Sequence, residues 1–497
     1  MVKRQDKNSA RMGINQGESG CPMKATKIGP STAHEYCSER LSPFGGLLGL
    51  VKFMDVVRFK EIFDGFYRAP GRTPELGHYN MVYGIIILLF IGFNRIWHFL
   101  YIRIDPMLCS IFNVVKLPYA TTYWRYVDSL GINQGRSLLD VMSALRERVW
   151  QLCGINHSRI HIDMDTTVET IYGRQQGGRK GHNMKHRGKE GLRPVLCFIA
   201  ETREYFVGKL RVGKTIAGEE VATLIRSFKK YLPGCVRNAI LRGDGEFIGW
   251  EAVKTAKEEG YDFIFCNKSC KPTFEASQWY KARKSDSIAY NEVMYQPIGW
   301  DYACRFVAMR IPKEKSAKGE QPQLALIEDE GYKHRIFVTN LPGKPHSVIE
   351  EYDKRADCEN LIGEAKREGL EAIPSSKFSS NYAYFQLVML AYNIWRSFKM
   401  LAEHCQREQT ATETQPECSL KGIMDNTIRI ARLKLLLIAA KIRSHSGVSE
   451  VKYSRHDSRT AGFFDFLAYL DRLRKQTRPW LGDNSWPCRH MTAFAAS

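Results

Sequence analysis

The sequence lacks an apolar run long enough to span a membrane. The segment that comes nearest, residues 81–93, has thirteen residues without a charge, whereas a membrane-spanning helix needs about 20. A buried helix is therefore expected there. Residues 1–13 are charged and have no apolar centre, which excludes a signal peptide. These two absences predict a cytoplasmic protein that does not associate with membranes.

Paired cysteine motifs are also missing. The 13 cysteines are scattered along the chain and odd in number. Cys266 and Cys270 lie four residues apart, but neither a second cysteine pair nor a histidine pair follows at the spacing of a zinc site. The pattern predicts reduced thiols, as in a cytosolic protein, and not a disulfide framework.

Acidic residues are scarce beside basic ones. The 497 residues include 73 Lys and Arg against 53 Asp and Glu, which gives a net charge of +20. Such an excess favours a polyanionic partner, nucleic acid or an anionic membrane surface, over an acidic small molecule. A merely basic protein has the same composition, so the charge alone does not decide between these classes.

Composition and periodicity divide the chain into segments that together predict an α/β protein with helical regions on both sides of its core. In order, the segments are a flexible basic arm (1–45), a helical DNA-binding domain (46–153), the first part of the α/β core (154–269), a β-strand insertion (270–345), the helix that completes the core (346–375) and a helical C-terminal region (376–497). Within the last region, a basic amphipathic helix is expected at 426–443.

Two stretches of the helical domain, 106–115 and 121–130, have the proportions of a helix–turn–helix motif. In such a motif the second helix would open at Thr121 and present Tyr123 and Arg125 to a DNA groove. An ordinary helical hairpin fits the same pattern and is the preferred interpretation.

Two aspartates end predicted strands. Residues 159–165 alternate in polarity, which places Asp163 and Asp165 on one face of a strand, and a second strand at 238–241 leads into Asp244. Ligands gather at the carboxyl ends of strands in α/β sheets, so Asp165 and Asp244 would converge if the two strands are neighbours. Asp163 is the alternative to Asp165, which lies nearer the strand end and is preferred. For either aspartate alone, a turn or a helix cap is the commoner role.

A third carboxylate belongs to a helix that begins after Pro345. Tyr352, Arg355, Glu359 and Lys366 are spaced so that they lie within about 60° of one another around an α-helix. We call these four residues the signature stripe. Such a stripe suits a metal ion flanked by phosphates, although a solvated charged helix face gives the same pattern.

Three carboxylates that lie close together repel one another unless cations neutralise them. Carboxylate oxygens are hard donors, which suit Mg²⁺ or Mn²⁺. Asp165, Asp244 and Glu359 are therefore predicted to be the catalytic residues and the ligands of two Mg²⁺ ions, for which Mn²⁺ can substitute. Two such ions about 3.5–4 Å apart support the in-line displacement of a phosphoryl group.

These motifs resemble a known family. The signature stripe resembles, at every spacing, the tyrosine–arginine–glutamate–lysine signature of the DDE transposases of bacterial insertion sequences. Residues 165–167 and 241–247 resemble the surroundings of that family's first and second catalytic aspartates. Residues 97–118 resemble one branch, insertion-sequence family thirteen-eighty. The resemblance covers about 46–400.

The resemblance implies an RNase H-like catalytic core with a β-strand insertion. It implies a DNA transposase that binds the terminal inverted repeats of an insertion sequence and catalyses strand cleavage and strand transfer. A synaptic homodimer on double-stranded transposon-end and target DNA would act at the nucleoid of a bacterial cytoplasm. In this family Tyr352, Arg355 and Lys366 would contact DNA phosphates. The last insertion strand, 334–338, lacks the tryptophan with which some relatives hold a flipped base.

A basic loop follows the first aspartate. Residues 173–193 contain seven cations against one acid, with glycines between them. Such a loop can neutralise several phosphates, although a solvated loop is the alternative. The cations predicted to bind DNA phosphates are Arg174, Arg179, Lys180, Lys185 and Arg187; Lys189 and Arg193 complete the set.

Two other functions fit part of this pattern. A structure-selective nuclease on the same core would hydrolyse DNA without joining strands and would not need to recognise a terminal repeat. An inactivated DNA-binding relative would be expected to lack one of the three carboxylates, and all three are present.

Overall fold

The computed structural model describes residues 26–181, 186–283, 287–313, 331–409, 420–445 and 448–477. Residues 1–39 and 40–497 form two separate units. In the first unit the described residues are almost all exposed and contain neither helix nor strand. The segment boundaries that the sequence suggested stay predictions.

The second unit opens with a two-residue strand and a set of helices. In chain order these are β1 (Leu41–Ser42), α1 (Leu47–Val56), α2 (Phe59–Phe66), α3 (His78–Phe90), α4 (Phe99–Ile102), α5 (Pro106–Phe112), α6 (Ala120–Ser129) and α7 (Ile132–Leu152). The α3 helix is apolar all round and is buried from Met81 onward, which confirms the buried helix expected at 81–93. No helix in the described part of the chain is long and apolar enough to cross a membrane.

The two helices of the predicted helix–turn–helix form as α5 and α6. The α5 helix begins where the carboxylate of Asp105 accepts hydrogen bonds from the backbone N–H groups of Met107 and Leu108, at 2.9 and 3.1 Å. On α6, Tyr123 is buried and stacks on Phe99 with ring centroids 3.7 Å apart. Tyr123 therefore packs in the core and does not face a groove.

A mixed sheet with helices around it forms the centre, as the α/β prediction required. Its first strands and helices, together with those of a small satellite sheet, are β2 (Arg159–Thr166), β3 (Glu169–Thr170), β4 (Arg179–Lys180), β5 (Glu190–Leu192), β6 (Val195–Ile199), β7 (Glu204–Lys209), α8 (Gly218–Tyr231), β8 (Asn238–Gly243), α9 (Trp250–Glu258) and β9 (Asp262–Cys266). β2, β6 and β7 are antiparallel neighbours, whereas β2, β8 and β9 run parallel. The satellite sheet has the order β3-β5-β4.

The predicted β insertion extends the same sheet. Its strands, β10 (Ala289–Tyr295), β11 (Cys304–Pro312) and β12 (Tyr332–Thr339), are antiparallel, and β12 pairs with β9. Among the described residues the sheet therefore has eight strands, in the order β10-β11-β12-β9-β8-β2-β6-β7. Without β12, the buried strand β9 would have an edge of unpaired backbone groups.

The helix predicted after Pro345 forms in two pieces. These are α10 (Pro345–Asp353) and α11 (Asp357–Ala365), joined by a 3₁₀ turn at Lys354–Ala356 and continued by a π-helical turn at Lys366–Leu370. A 3₁₀ turn has fewer residues per turn than an α-helix and a π turn has more. The signature stripe consequently departs from the single line of an ideal α-helix.

A long helix, α12 (Phe378–Gln409), covers the opposite edge of the sheet. The side-chain amide of Asn393 accepts a hydrogen bond from the backbone N–H of Tyr205 at 2.9 Å and donates one to the Tyr205 carbonyl at 2.7 Å. Gln386 donates to the carbonyl of Gly208 at 2.9 Å. Three backbone groups of the edge strand β7 thus bond to α12, and Arg146 of α7 donates to the carbonyls of Tyr205 and Phe206; these bonds hinder pairing of β7 with another sheet.

The C-terminal region is not wholly helical, and the helix expected at 426–443 is wrong in extent. It ends early as α13 (Ile428–Leu435), and the chain continues into β13 (Ala440–His445), β14 (Val448–Tyr453) and α14 (Thr460–Gln476). β13 pairs with β1 from the start of the same unit and with β14. Since β1 is about 400 residues away in sequence, the helical periodicity of 426–443 contains no trace of this pairing.

Candidate active site

Asp165 and Asp244 lie at the carboxyl ends of adjacent parallel strands. Met164 of β2 is paired in register with Gly243 of β8, and each aspartate is the next residue in its chain. The prediction that the two aspartates converge depended on these strands being neighbours, and they are neighbours. The parallel pairing therefore brings both aspartates to the same edge of the sheet.

The segment with the signature stripe crosses over this end of β2. Arg355 is buried, donates a hydrogen bond to the carbonyl of Met164 at 2.9 Å, and lies 3.1 Å from Oδ2 of Asp165. Glu359 lies one turn further along the helix and is exposed. The contact through Arg355 thus fixes the helix that contains Glu359 against the strand that contains Asp165.

The electrostatic environment of Asp165 includes the other two carboxylates. Burial is the main cause that raises the pKa of Asp165 to about 6; Arg355 opposes this rise, and Asp244 and Glu359 add to it. Within the described residues, however, no group of three or more His, Cys, Asp or Glu side chains is arranged to hold a metal ion. The joining of Asp165, Asp244 and Glu359 into one metal site therefore stays a prediction.

Asp244 contacts the ammonium of Lys268 and a backbone N–H in the turn that follows it. Its Oδ1 accepts a hydrogen bond from the backbone N–H of Glu246 at 3.0 Å, and its Oδ2 lies 3.5 Å from the ammonium of Lys268. A side chain at Gly245 would come within 2.3 Å of the aliphatic stem of Lys268. Glycine at this position therefore allows Lys268 to approach Asp244.

Asp163 is held in a different way from Asp165. Both of its oxygens accept hydrogen bonds from Arg242, at 2.6 and 2.9 Å, and both side chains are almost fully buried. Arg242 also donates to the carbonyl of Glu351 on α10 at 2.8 Å. Asp163 is thus occupied by an internal ion pair that links β2, β8 and α10.

A further carboxylate next to the site escaped the sequence reasoning. The hydroxyl of Thr166 donates to Glu246 at 2.9 Å and accepts from Nε of Arg193 at 3.3 Å, and Arg193 also forms an ion pair with Glu246. We call Thr166, Arg193 and Glu246 the clamp. The clamp ties the turn after Asp244 to the residue after Asp165. Arg193 was counted as one of the loop cations, and its sequence neighbours give no sign of this pairing.

The other two residues of the signature stripe also face the sheet. Tyr352 is buried and packs on Phe337 with ring centroids 4.6 Å apart, and burial holds its pKa well above the usual range. The ammonium of Lys366 donates to the carbonyl of Val168, just beyond β2, at 3.0 Å. Arg355 and Lys366 therefore both bind backbone carbonyls near the end of this strand.

The basic loop contains two strands of the satellite sheet, β4 and β5. Its predicted DNA contacts Arg174, Arg179, Lys180 and Arg187 are all exposed; Lys185 lies outside the described residues. The base of the loop is held by a hydrogen bond of 2.9 Å from the backbone N–H of Gln176 to the carbonyl of Ser376. The loop is thus attached close to both β2 and the helical segment that follows Glu359.

Comparison with known proteins places this architecture in a family. The family model described as "Transposase DDE domain group 1" matches residues 35–475. Two solved structures resemble the chain at low similarity. The piggyBac transposase synaptic complex with hairpin DNA has a TM-score of 0.38 and 10% identity, over 78% of this chain and 79% of that one. The Mos1 transposase paired-end complex with the left transposon end has a TM-score of 0.16 and 8% identity, over 39% and 60%.

No curated protein is significantly similar to the chain in sequence. The family match alone covers most of the 497 residues, including the ends of β2 and β8 and the helix α11. The chain belongs to the transposases with a DDE domain of group 1, and it is an enzyme of that class.

Proposed function

We propose that this enzyme binds the terminal inverted repeats of an insertion sequence and catalyses strand cleavage and strand transfer with Asp165, Asp244 and Glu359. The observation that supports this best is the in-register parallel pairing of β2 with β8, which puts two of the carboxylates side by side. The third, Glu359, raises the pKa of Asp165. The strand order and directions of β2 and β6 to β9 suit an RNase H-like core.

The donor set fits divalent metal ions. Asp165, Asp244 and Glu359 offer hard oxygen ligands, and their mutual repulsion is the electrostatic condition that a dication relieves. These residues would hold two Mg²⁺ ions, or Mn²⁺ in their place. When bound, such a pair activates the attacking oxygen and stabilises the leaving oxygen of a phosphoryl displacement.

The protein itself orients the first ligand. Oδ1 of Asp165 accepts a hydrogen bond from the backbone N–H of Thr166 at 2.7 Å, and Oδ2 faces Arg355 at 3.1 Å. Because Arg355 is also bonded to Met164, the carboxylate of Asp165 is held from both sides. Arg355 thus acts as a positioning residue. It would also contact a DNA phosphate, as would Tyr352 and Lys366.

The partners follow from this proposal. A homodimer would hold two transposon ends and the target DNA in one synaptic complex, in the cytoplasm of a bacterium. The branch that the sequence favours is insertion-sequence family thirteen-eighty. Residues 332–339 of β12 include Tyr332 and Phe337 but no tryptophan, so we propose an excision route that does not depend on a tryptophan in this strand.

The test uses the DNA that flanks the coding region in its genome. A supercoiled plasmid with both flanks would be incubated with the protein and Mg²⁺, and cleavage and joining would be scored separately. We expect both products, with breaks at short inverted repeats. Cleavage without joining, and without preference for a repeat, would support the nuclease instead. The absence of any cleavage would contradict both.

The clamp provides a second prediction. Changing Glu246 to Gln removes the charge that pairs with Arg193 but keeps an acceptor for Thr166. We expect strand cleavage to fall about 10–100-fold, the range seen when supporting partners of metal ligands are lost, because the turn after Asp244 is no longer fixed to β2. Single-turnover cleavage and a gel shift would be measured together.

The matched control is Glu219→Gln, which removes an exposed carboxylate that pairs with Arg226 on α8 and has no contact with the clamp residues. If the clamp acts as a unit, Glu246→Gln combined with Arg193→Met should lose no more cleavage than the stronger single variant. Wild-type cleavage by Glu246→Gln would show that the clamp does not position Asp244.

A third prediction concerns the basic loop. Changing Arg174, Arg179, Lys180 and Arg187 to Gln removes four cations. Each released phosphate contact contributes about 0.9 to the slope of log affinity against log salt, so the slope for duplex DNA should fall by about 3 to 4. Fluorescence anisotropy at a series of salt concentrations measures this slope.

The control set carries the same loss of charge elsewhere: Lys229, Lys230, Lys254 and Lys257 on α8 and α9, all changed to Gln. This set should leave the slope close to that of the wild type. Equal slopes for the loop variant and the wild type would mean that the loop does not contact phosphates.

A further inference from the structure

Six apolar and aromatic side chains to which the proposed function gives no role are exposed on the helical part of the chain. They are between 57% and 88% exposed: Trp97, Leu100, Tyr101, Ile104, Val115 and Tyr119. We call this set the aromatic face. Exposed apolar residues scattered singly are ordinary, but six within 23 residues of sequence form a patch that marks an interaction site.

The aromatic face is built on a fixed support. The segment that bears it is a 3₁₀ turn at Ile96–His98 followed by α4. On its other side Ile96, Phe99 and Ile102 are buried in the core, and Phe99 stacks on Tyr123. Apolar residues thus lie on both sides of the short helix α4, although only one side packs against the core.

The second half of the aromatic face is joined to the first. Arg103 and Leu117 exchange two hydrogen bonds of 2.9 Å: the guanidinium of Arg103 donates to the Leu117 carbonyl, and the Leu117 N–H donates to the Arg103 carbonyl. The guanidinium also lies 3.6 Å from the ring centroid of Tyr119. Val115 and Tyr119 are consequently held next to the end of α4.

The charge around the aromatic face has one sign. Arg95 and Lys116 are exposed beside it, and Arg103 is half-buried within it. The sole acid between residues 95 and 125 is Asp105. Its carboxylate is occupied by Ser42 and by the N-terminus of α5. Between residues 95 and 125, the exposed rings and cations are therefore accompanied by no free carboxylate.

We infer that the aromatic face binds unpaired bases of DNA, an inference that rests on the proposed function. Bases that have left the duplex stack on exposed aromatic rings, and cations beside the rings contact the phosphates between those bases. A second copy of the chain is the less suitable occupant, because a two-fold contact would place two copies of the same cationic surface, with Arg95, Arg103 and Lys116, opposite each other.

The experiment compares two fluorescent DNA probes of unrelated sequence: a blunt duplex, and the same duplex with a single-stranded tail of ten thymidines. The variants are Trp97→Ala, Tyr101→Ala and their combination. Trp97→Phe and Tyr101→Phe retain a ring at each position. Phe464→Ala, which removes a half-exposed ring from α14, is the control. Sedimentation velocity follows the oligomeric state of every variant.

We expect the wild type to bind the tailed probe more tightly than the blunt one. Each alanine variant should lose about tenfold in affinity for the tailed probe alone, as expected for one lost stacking partner. The phenylalanine variants and the control should keep the wild-type difference, which separates stacking from a general effect on folding.

Four results would overturn the inference. Base stacking would be excluded if the wild type bound both probes with equal affinity. It would also be excluded if the alanine variants bound the tailed probe as tightly as the wild type does. Dissociation of a dimer by the alanine variants, with their DNA selectivity unchanged, would assign the face to a second copy. Failure of the wild type to bind either probe would contradict the proposed function as well.

Discussion

Changing Asp165 to Asn, Asp244 to Asn or Glu359 to Gln is expected to lower strand cleavage and joining on the order of 10³-fold. Each change keeps the size of the side chain but removes a charge that a divalent ion requires. Metal ions contribute several kcal/mol of transition-state stabilisation, and about 1.4 kcal/mol corresponds to a factor of ten in rate. The measurement is plasmid cleavage and joining with Mg²⁺, with a gel shift alongside. DNA affinity should change little, because each variant keeps every cation that is predicted to contact DNA.

Asp357→Asn is the matched control for Glu359→Gln. It removes an exposed carboxylate two residues earlier on the same helix, where its partner is Arg203. Cleavage by this variant should stay within about twofold of the wild type, because surface ion pairs contribute little. Wild-type joining by the Asp165 or Glu359 variant would contradict the assignment of those residues.

The three variants are expected to differ in their effect on folding, and the structure indicates which of them should disturb the stability of the fold least. Glu359 is exposed, so its replacement leaves no buried group unpaired. Asp165 faces the buried Arg355, and Asn at this position removes its main countercharge. A loss of cleavage in Glu359→Gln, at unchanged stability, is therefore the most direct evidence for a metal ligand.

The parts of the site that the sequence predicted are those determined locally. Alternation along β2 predicted a strand that ends near Asp165, and a short apolar run predicted β8 and hence the position of Asp244. The sequence left the pairing of these two strands open as a condition, and the fold meets that condition. Glu359 was found through spacing alone, and it is placed by Arg355, which bonds to β2.

The parts that sequence reasoning missed depend on contacts between distant segments. Arg193 looked like a free loop cation because its partner Glu246 is 53 residues away. The extent of the helix at 426–443 was wrong because β1 and β14 pair with its second half. Helical periodicity is a local signal, and strand pairing with a remote partner overrides it.

The choice between Asp163 and Asp165 shows the same limit. Both aspartates lie on one face of β2, and the sequence offered only their distance from the strand end. The structure adds the identity of the opposing cation, and the choice of Asp165 stays a prediction. Asp163 meets Arg242, which is itself buried and has no other role at the site, whereas Asp165 meets Arg355 of the signature stripe.

Changing Asp163 to Asn should therefore destabilise the fold, by about 3–5 kcal/mol in the free energy of unfolding, because the buried guanidinium of Arg242 loses its nearer countercharge and keeps only the carboxylate of Glu351, 3.7 Å away. Burial raises the pKa of Asp163 and Arg242 opposes that rise; the neutral Asn imitates the form that Arg242 disfavours. Urea unfolding followed by circular dichroism measures the loss.

The combination of Asp163→Leu with Arg242→Met tests whether the loss comes from an unpaired charge. Removing both members of a buried ion pair is often neutral or stabilising when apolar side chains fill the space, so the double variant should recover most of the stability lost by Asp163→Asn.

A cleavage assay distinguishes the roles of the two aspartates. The Asp163→Asn protein, assayed under conditions in which it is folded, should still cut DNA, while the Asp165→Asn protein should not. An Asp163→Asn protein as stable as the wild type but unable to cleave would instead make Asp163 the first metal ligand.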